Sequence, residues 1–149
     1  MSATIQSQIV EEARRWIGTP YRHQASCLGA GTDCLGLVRG VWRGVLGEEP
    51  ELPPAYSFDW SEPARQEALW QAAERHLLPK TLDEPAPGDV LLFRMRNGAV
   101  AKHLGVQAEV GQLSTFVHAY SRHAVIENSF SLPWQRRLVA RFEFLDRRL

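Results

Sequence analysis

Apolar residues near the N-terminus, Ile5, Ile9, Val10, Ala13, Trp16 and Ile17, recur at three- and four-residue steps, the period of one buried helix face. Thr4 stands where an N-cap belongs, and Gly18-Thr19-Pro20 supplies a stop. After a glycine-punctuated loop from Tyr21 to Thr32, the helical period returns in Cys34, Val38, Val41 and Val45. Asp33 precedes this run as a second N-cap, and Gly47 follows it at a C-terminal position. Pro50, Pro53 and Pro54 predict an extended stretch, and from Glu48 to Glu67 six acidic residues meet the single Arg65, the composition of a solvated loop. Ser61 is the predicted cap of a third helix whose stripe is Ala68, Leu69, Ala72, Ala73, His76 and Leu77, ended by Pro79.

Beyond Pro85 the period shortens to two, the signature of strands. Val90 to Arg94 is the first, after the turn Pro87-Gly88-Asp89. Val100, Lys102, Leu104 and Val106 then alternate with Ala101, His103, Gly105 and Gln107, before a turn at Val110-Gly111-Gln112. Ser114 to Tyr120, Ala124 to Asn128 and Leu138 to Phe144 bring the total to about five strands. Helices first and a meander of strands afterwards predict an α+β fold, N-terminal helices packed on an antiparallel sheet. At 149 residues the chain 1–149 is the size of one domain.

Composition removes several function classes. Seventeen basic residues balance seventeen acidic ones, so direct nucleic-acid binding lacks its electrostatic footprint. Runs such as Val90-Leu91-Leu92-Phe93 are far shorter than the ~18 residues of a membrane span. Met1-Ser2-Ala3-Thr4 leads into Glu11-Glu12-Ala13-Arg14-Arg15 without the features of a secretory signal, which predicts synthesis in the cytoplasm. Cys27 and Cys34 are the only cysteines, and reducing cytosol predicts two free thiols. No CxxC or HxxxH spacing is present, so neither a metal site nor a cofactor is expected.

The candidate chemistry centres on Cys34. A cysteine at a helix start sits among unpaired N–H groups, which favour the thiolate and a developing oxyanion. It needs a base, and the base needs a partner for its second ring nitrogen. Of His23, His76, His103, His118 and His123, strand phase favours two. His103 shares its face with the small Ala101 and Gly105, and His118 lies fifteen residues on in the next strand. His123 or Asn128 would take the third place under a different register, and His23 and His76 read as surface residues.

The motifs Gly18-Thr19-Pro20-Tyr21, Asp33-Cys34-Leu35-Gly36-Leu37-Val38, Pro87-Gly88-Asp89-Val90-Leu91-Leu92-Phe93, His103-Leu104-Gly105-Val106 and Phe116-Val117-His118-Ala119 resemble, in order and spacing, those of NlpC/P60 cysteine peptidases. The runs Arg22 to Ser26 and Asp33 to Arg43 are most similar to the cell-wall peptidases of phage tails and phage-like gene transfer agents. The resemblance implies a papain-like fold that cleaves stem peptides of bacterial peptidoglycan, typically between D-glutamate and diaminopimelate. It implies Cys34 as nucleophile, His103 as base, His118 as orienting residue, and Tyr21 and Asp33 as substrate-binding residues. Leu35 departs from the serine usual after the cysteine, which puts a preference for trimmed stem peptides with a free amine in doubt.

The subfamily implies delivery in the tail of a phage-like particle, bound to tail-tip or baseplate hub proteins and acting in the target cell envelope. The acidic Glu48–Glu67 segment and the Arg-rich end, with Arg136, Arg137, Arg141, Arg147 and Arg148, are the candidate docking surfaces. Three alternatives stay open: a catalytically idle structural tail subunit, a chromosomal wall-remodelling hydrolase, and an acyltransferase or amidase on the related circularly permuted fold, in which the histidine would precede the cysteine, whereas here Cys34 comes first.

Overall fold

The computed structural model describes residues 4–53, 67–120 and 122–146. Thr4 Oγ1 accepts the Ser7 N–H and opens helix α1 (Ile5–Arg15), whose Ile9, Val10 and Ala13 are buried. A short hairpin follows, β1 (Ser26–Cys27) against β2 (Gly31–Thr32). Helix α2 (Cys34–Val45) starts directly after it, with Leu37, Val38, Val41 and Trp42 in the core. Its early docking depends on a missing side chain: a Cβ at Gly36 would lie 2.0 Å from the Ala25 carbonyl oxygen. Glycine at this position lets the first turn of α2 press on the hairpin, and that contact places Cys34.

Helix α3 (Ala68–His76) carries the predicted stripe, with Glu67 at its cap position, while Ser61 lies outside the described residues. It leads into a strand that the periodicity does not reveal, β3 (Leu78–Lys80). Pro79 stops the helix as predicted and sits within this edge strand, where a missing N–H is tolerated. The remaining strands are β4 (Val90–Phe93), β5 (His103–Gln107), β6 (Thr115–Ala119) and β7 (Val125–Ser129), followed by the short helix α4 (Leu132–Arg137) and β8 (Leu138–Glu143).

The large sheet has six strands in the order β3-β8-β4-β5-β6-β7, with antiparallel neighbours throughout. The α+β prediction holds, but the sheet is no simple meander of five strands. β8 returns from the far edge to pair with β4, carried there by α4. Val100 to Lys102 precede β5 rather than belonging to it.

Strand alternation divides the sheet into two faces. Val90, Leu92, Leu104, Val106, Val117, Ala119 and Phe142 join the core beneath α1 and α2. The opposite face carries Leu91, Phe93 and Phe116, joined by Phe130 and partly covered by Met95, Trp134 and Leu138. Phe116 needs Gly105 beside it, since a Cβ there would meet the Phe116 ring at 2.8 Å. Each such fully buried ring stabilises the fold by roughly 1.5–3 kcal/mol.

One end of this second face is ionic. The Asp89 carboxylate, 1% exposed, accepts from Lys80 Nζ at 2.9 Å, Arg141 Nη1 at 2.9 Å and the Ala86 N–H at 2.9 Å. Arg141 Nη1 also donates to Gln107 Oε1. The cluster ties β3, β5 and β8 to the turn before β4, and it removes Arg141 from the docking surface the sequence suggests. Arg147 and Arg148 of that segment lie outside the described residues.

The described part of the acidic segment is a largely exposed loop, as predicted, but three of its acids are paired. Glu49 accepts from Arg39 Nε at 2.6 Å and Arg43 Nη1 at 3.0 Å, with its side chain only 8% exposed. Glu51 pairs with Arg75 and His76, so His76 is a half-buried partner rather than a free surface residue. Glu67 accepts from Arg94 Nη1 and from the Ala101 N–H. These acids tether the loop to basic residues of α2 and α3 and to Arg94 just after β4, contacts its composition alone does not reveal.

Candidate active site

Asp33 caps α2 and lies 2% exposed, with Oδ1 accepting the Gly36 N–H at 2.7 Å and Oδ2 the Gln24 N–H at 2.7 Å. Both oxygens are committed to backbone, so the carboxylate acts here as a brace between the hairpin loop and the helix start. His23 Nδ1 stands 3.9 Å from Oδ2, which moves His23 from the open surface to the margin of this cap. Tyr21 bridges to Thr32, and burial holds its phenol above the usual value, with negative charge on Cys34 and Asp33 acting in the same direction. Tyr21, Asp33 and Cys34 are therefore neighbours, the placement that the family resemblance implies.

The Cys34 thiol donates to the Lys102 carbonyl at 3.6 Å, and the Leu104 N–H points at the same sulfur. The sulfur thus rests against the backbone on both sides of His103. In turn His103 Nε2 lies 2.8 Å from His118 Nδ1. The β5–β6 register pairs Val106 with Val117, so the two histidines sit diagonally across neighbouring strands and their rings meet edge-on at 5.1 Å. The structure sets the Cys34 sulfur against the backbone flanking His103 and the His103 ring against that of His118.

The surroundings are dry. His118 is fully buried and His103 is 7% exposed. The Phe116 ring lies 4.3 Å from that of His118, while Trp134 of α4 lies 5.0 Å from His118 and 5.7 Å from His103. Arg137 lies 5.2 Å above the Trp134 ring. Sequence reasoning misses Trp134 because α4 is too short to show a period. The available signal is Ser131-Leu132-Pro133-Trp134, a cap residue followed by proline in the first turn.

Burial sets the electrostatics. It pulls His103 down to about 3, helped by the positive charges of His118 and Arg137, and His118 down to about 4, helped by His123. Burial, with the Asp33 carboxylate adding to it, pushes the Cys34 thiol up to about 12, against the N–H groups of Leu104, Leu35 and Cys34 itself. Burial thus opposes the thiolate that the helix N-terminus, as the sequence suggests, would favour. Desolvation works against the helix end and favours the neutral thiol and the neutral imidazole.

A cavity of about 450 Å³ opens between α2, α3 and the segment around Glu49, lined among others by Leu35, Val38, Trp42, Leu69 and Leu104. Leu104 lines this cavity from the face of the sheet that packs under α2, whereas the His103 and His118 rings lie with Phe93 and Phe116 on the other face. Among the described residues no group of three or more histidines, cysteines or carboxylates is arranged to hold a metal ion, and no helix is long and apolar enough to cross a membrane.

A family model described as NlpC/P60 matches residues 18–143. The chain belongs to the NlpC/P60 family. Among curated NlpC/P60 relatives, it is 28% identical over 136 residues to the probable endopeptidase NlpC of Escherichia coli, covering 91% of this chain and 75% of that protein. It is 31% identical over 110 residues to the gamma-DL-glutamyl hydrolase of Bacillus subtilis, covering 74% of this chain but only 23% of that longer protein. Of solved NlpC/P60 structures, the domain of the peptidoglycan hydrolase SagA superposes with a TM-score of 0.66 at 21% identity, over 93% of this chain and 98% of that one. A lipoprotein-like family member from Staphylococcus aureus gives 0.64 at 19% identity, over 97% of this chain and 43% of the other. These likenesses share the fold.

The depressed histidines make this NlpC/P60 chain acid-sensitive in a defined window. Between pH 6.5 and about 4 the unfolded imidazoles bind protons that the native ones refuse, so stability falls as pH falls. The expected loss is on the order of several kcal/mol by pH 4. Carboxylates held low, such as Glu127 beside Arg14, contribute only below 4.5. Urea midpoints should therefore drop already between pH 6.5 and 5, and His118→Gln should flatten that part of the curve. A flat wild-type profile across that interval would contradict the buried neutral pair.

Proposed function

We propose that the chain is a cysteine peptidase cleaving stem peptides of bacterial peptidoglycan, with Cys34 as nucleophile, His103 as general base and His118 as the residue that orients the base. The observation that carries this reading is the Cys34 sulfur at the start of α2, set against the backbone flanking a histidine whose far nitrogen is bound by a second histidine. From the neutral forms that burial favours, the thiol proton passes to His103 as the sulfur attacks the carbonyl carbon. N–H groups at the start of α2 favour the charge that develops on the carbonyl oxygen. The tetrahedral adduct expels the amine, which takes its proton from the imidazolium, and leaves a thioester on Cys34. Water activated by the same imidazole then releases the acid and restores the thiol.

The finer reading is hydrolysis of the D-glutamyl–diaminopimelate bond in intact wall. The likeness to the gamma-DL-glutamyl hydrolase of Bacillus subtilis and the apolar Leu35 that follows Cys34 support it. Tyr21 borders the sulfur and lines the site for the acyl side of the substrate, while Asp33 shapes the site through its backbone bonds. Incubation of the purified protein with sacculi should release new amino groups, and mass spectrometry of the products should show diaminopimelate at the new N-terminus. Products cut in the glycan strand, or no products at all, would reject the assignment.

The route to the wall in this reading is a phage-like tail. Its support is the similarity of the Arg22–Ser26 and Asp33–Arg43 runs to tail-borne peptidases. Detection of the protein on purified particles tests that route, and its recovery only away from particles would refute it.

A further inference from the structure

We infer that Asn128, by presenting its amide oxygen to His118, is a positioning residue that fixes which nitrogen of each paired histidine carries the hydrogen. The inference rests on the peptidase reading, since it concerns whether His103 can act as a base. Asn128 stands opposite Phe116 in the β6–β7 ladder, on the same side of the sheet as His118. Its amide nitrogen lies 3.5 Å from His118 Nε2, the ring nitrogen that His103 does not use.

The hydrogen count forces a choice. One hydrogen lies between His103 Nε2 and His118 Nδ1, which are 2.8 Å apart. If it belongs to His103, neutral His103 has a bare Nδ1 and can take the thiol proton. If it belongs to His118, His103 carries its own hydrogen on Nδ1 and cannot. The productive arrangement places the His118 hydrogen on Nε2, and that N–H needs an acceptor because the residue is fully buried. Phe116, Trp134 and Tyr120 surround the ring with aromatic surface.

Among the described residues Asn128 is the side chain recorded at Nε2. A half-turn of its amide replaces Nδ2 by Oδ1 with almost no change in shape, and only that orientation accepts the hydrogen. Separations of this length commonly tighten when substrate closes a site. The result is an ordered chain, Asn128 Oδ1 to His118 Nε2–H, His118 Nδ1 to His103 Nε2–H, leaving His103 Nδ1 bare for the thiol.

Nitrogen-15 correlation spectra of the imidazoles at pH 7.5 read this directly, without any need for activity. The expected result is a protonated Nε2 on both His118 and His103 in the wild-type protein. Asn128→Leu should lower kcat about tenfold with little change in KM and mix the two tautomers of His118. Asn128→Asp, which can only accept, should recover most of kcat and restore the wild-type spectrum. A bare His118 Nε2 in the wild-type protein overturns the inference whatever the variants do. So does a folded Asn128→Asp as impaired as Asn128→Leu, the mark of a role in packing alone. If peptidoglycan is not cleaved but Nε2 is protonated in the wild type and released in Asn128→Leu, the peptidase reading fails and the positioning role stands.

Discussion

Replacing Cys34 by Ser should lower release of amino groups from peptidoglycan at least about a thousandfold, while the protein stays folded. The size follows from the weak base. Burial holds His103 down to about 3, so it draws a proton only from a partner whose anion is stabilised as it forms. The sulfur is such a partner, since N–H groups of Leu35 and Leu104 point at it, whereas a serine alkoxide is a far stronger base. His103→Ala should cost as much, because nucleophile and base act as a unit. His118→Ala should cost less, roughly 10- to 100-fold, since it removes orientation and leaves the base in place. A Cys34→Ser protein within tenfold of wild type would exclude covalent catalysis by this residue.

The largest stability effect is expected at Asp89, far from the sulfur. Asp89→Ala leaves Arg141 buried without its anion and Lys80 without its partner, and should cost about 3–5 kcal/mol in urea denaturation. Arg141 Nε has no hydrogen-bond partner, and without Asp89 the guanidinium would keep only the neutral Gln107 Oε1 as a recorded acceptor. The paired change Asp89→Leu with Arg141→Met should recover most of that loss, because the charges leave together. A loss below about 1 kcal/mol in Asp89→Ala would mean that the cluster admits water in solution.

Helices α1 and α2 were legible because their apolar positions repeat and their caps stand in place: Thr4 and Asp33 both accept the predicted backbone N–H. Strand existence was legible from alternation, but strand order was not. Pairing of β8 with β4 is fixed by packing of Ala140 and Phe142 into the core, which no local period encodes. β3 was hidden by Pro79, a helix stop that also suits a sheet edge. The charged residues were misjudged for a different reason. Glu49 and Glu67 read as solvated in a run of acids, yet each meets an arginine ten or more residues away.

At the site, Cys34, His103 and His118 were legible through helix capping, strand phase and ordered motifs. The thiol's resting state was not. The sequence shows the helix N-terminus that favours the thiolate, but not the desolvation that opposes it, because that depends on how β5 closes over the sulfur. Trp134 was equally hidden, since only the return of the chain through α4 brings it over the histidines.

The most direct test of the account is the site of covalent attachment. The protein should be mixed with peptidoglycan fragments, quenched in acid within the first turnovers, and mapped by peptide mass spectrometry. The account predicts a stem-peptide acyl group on Cys34, absent from His103→Ala and lost on treatment with hydroxylamine. Accumulation of cleaved product with Cys34 unmodified, or an acyl group on the exposed Cys27 instead, would contradict it.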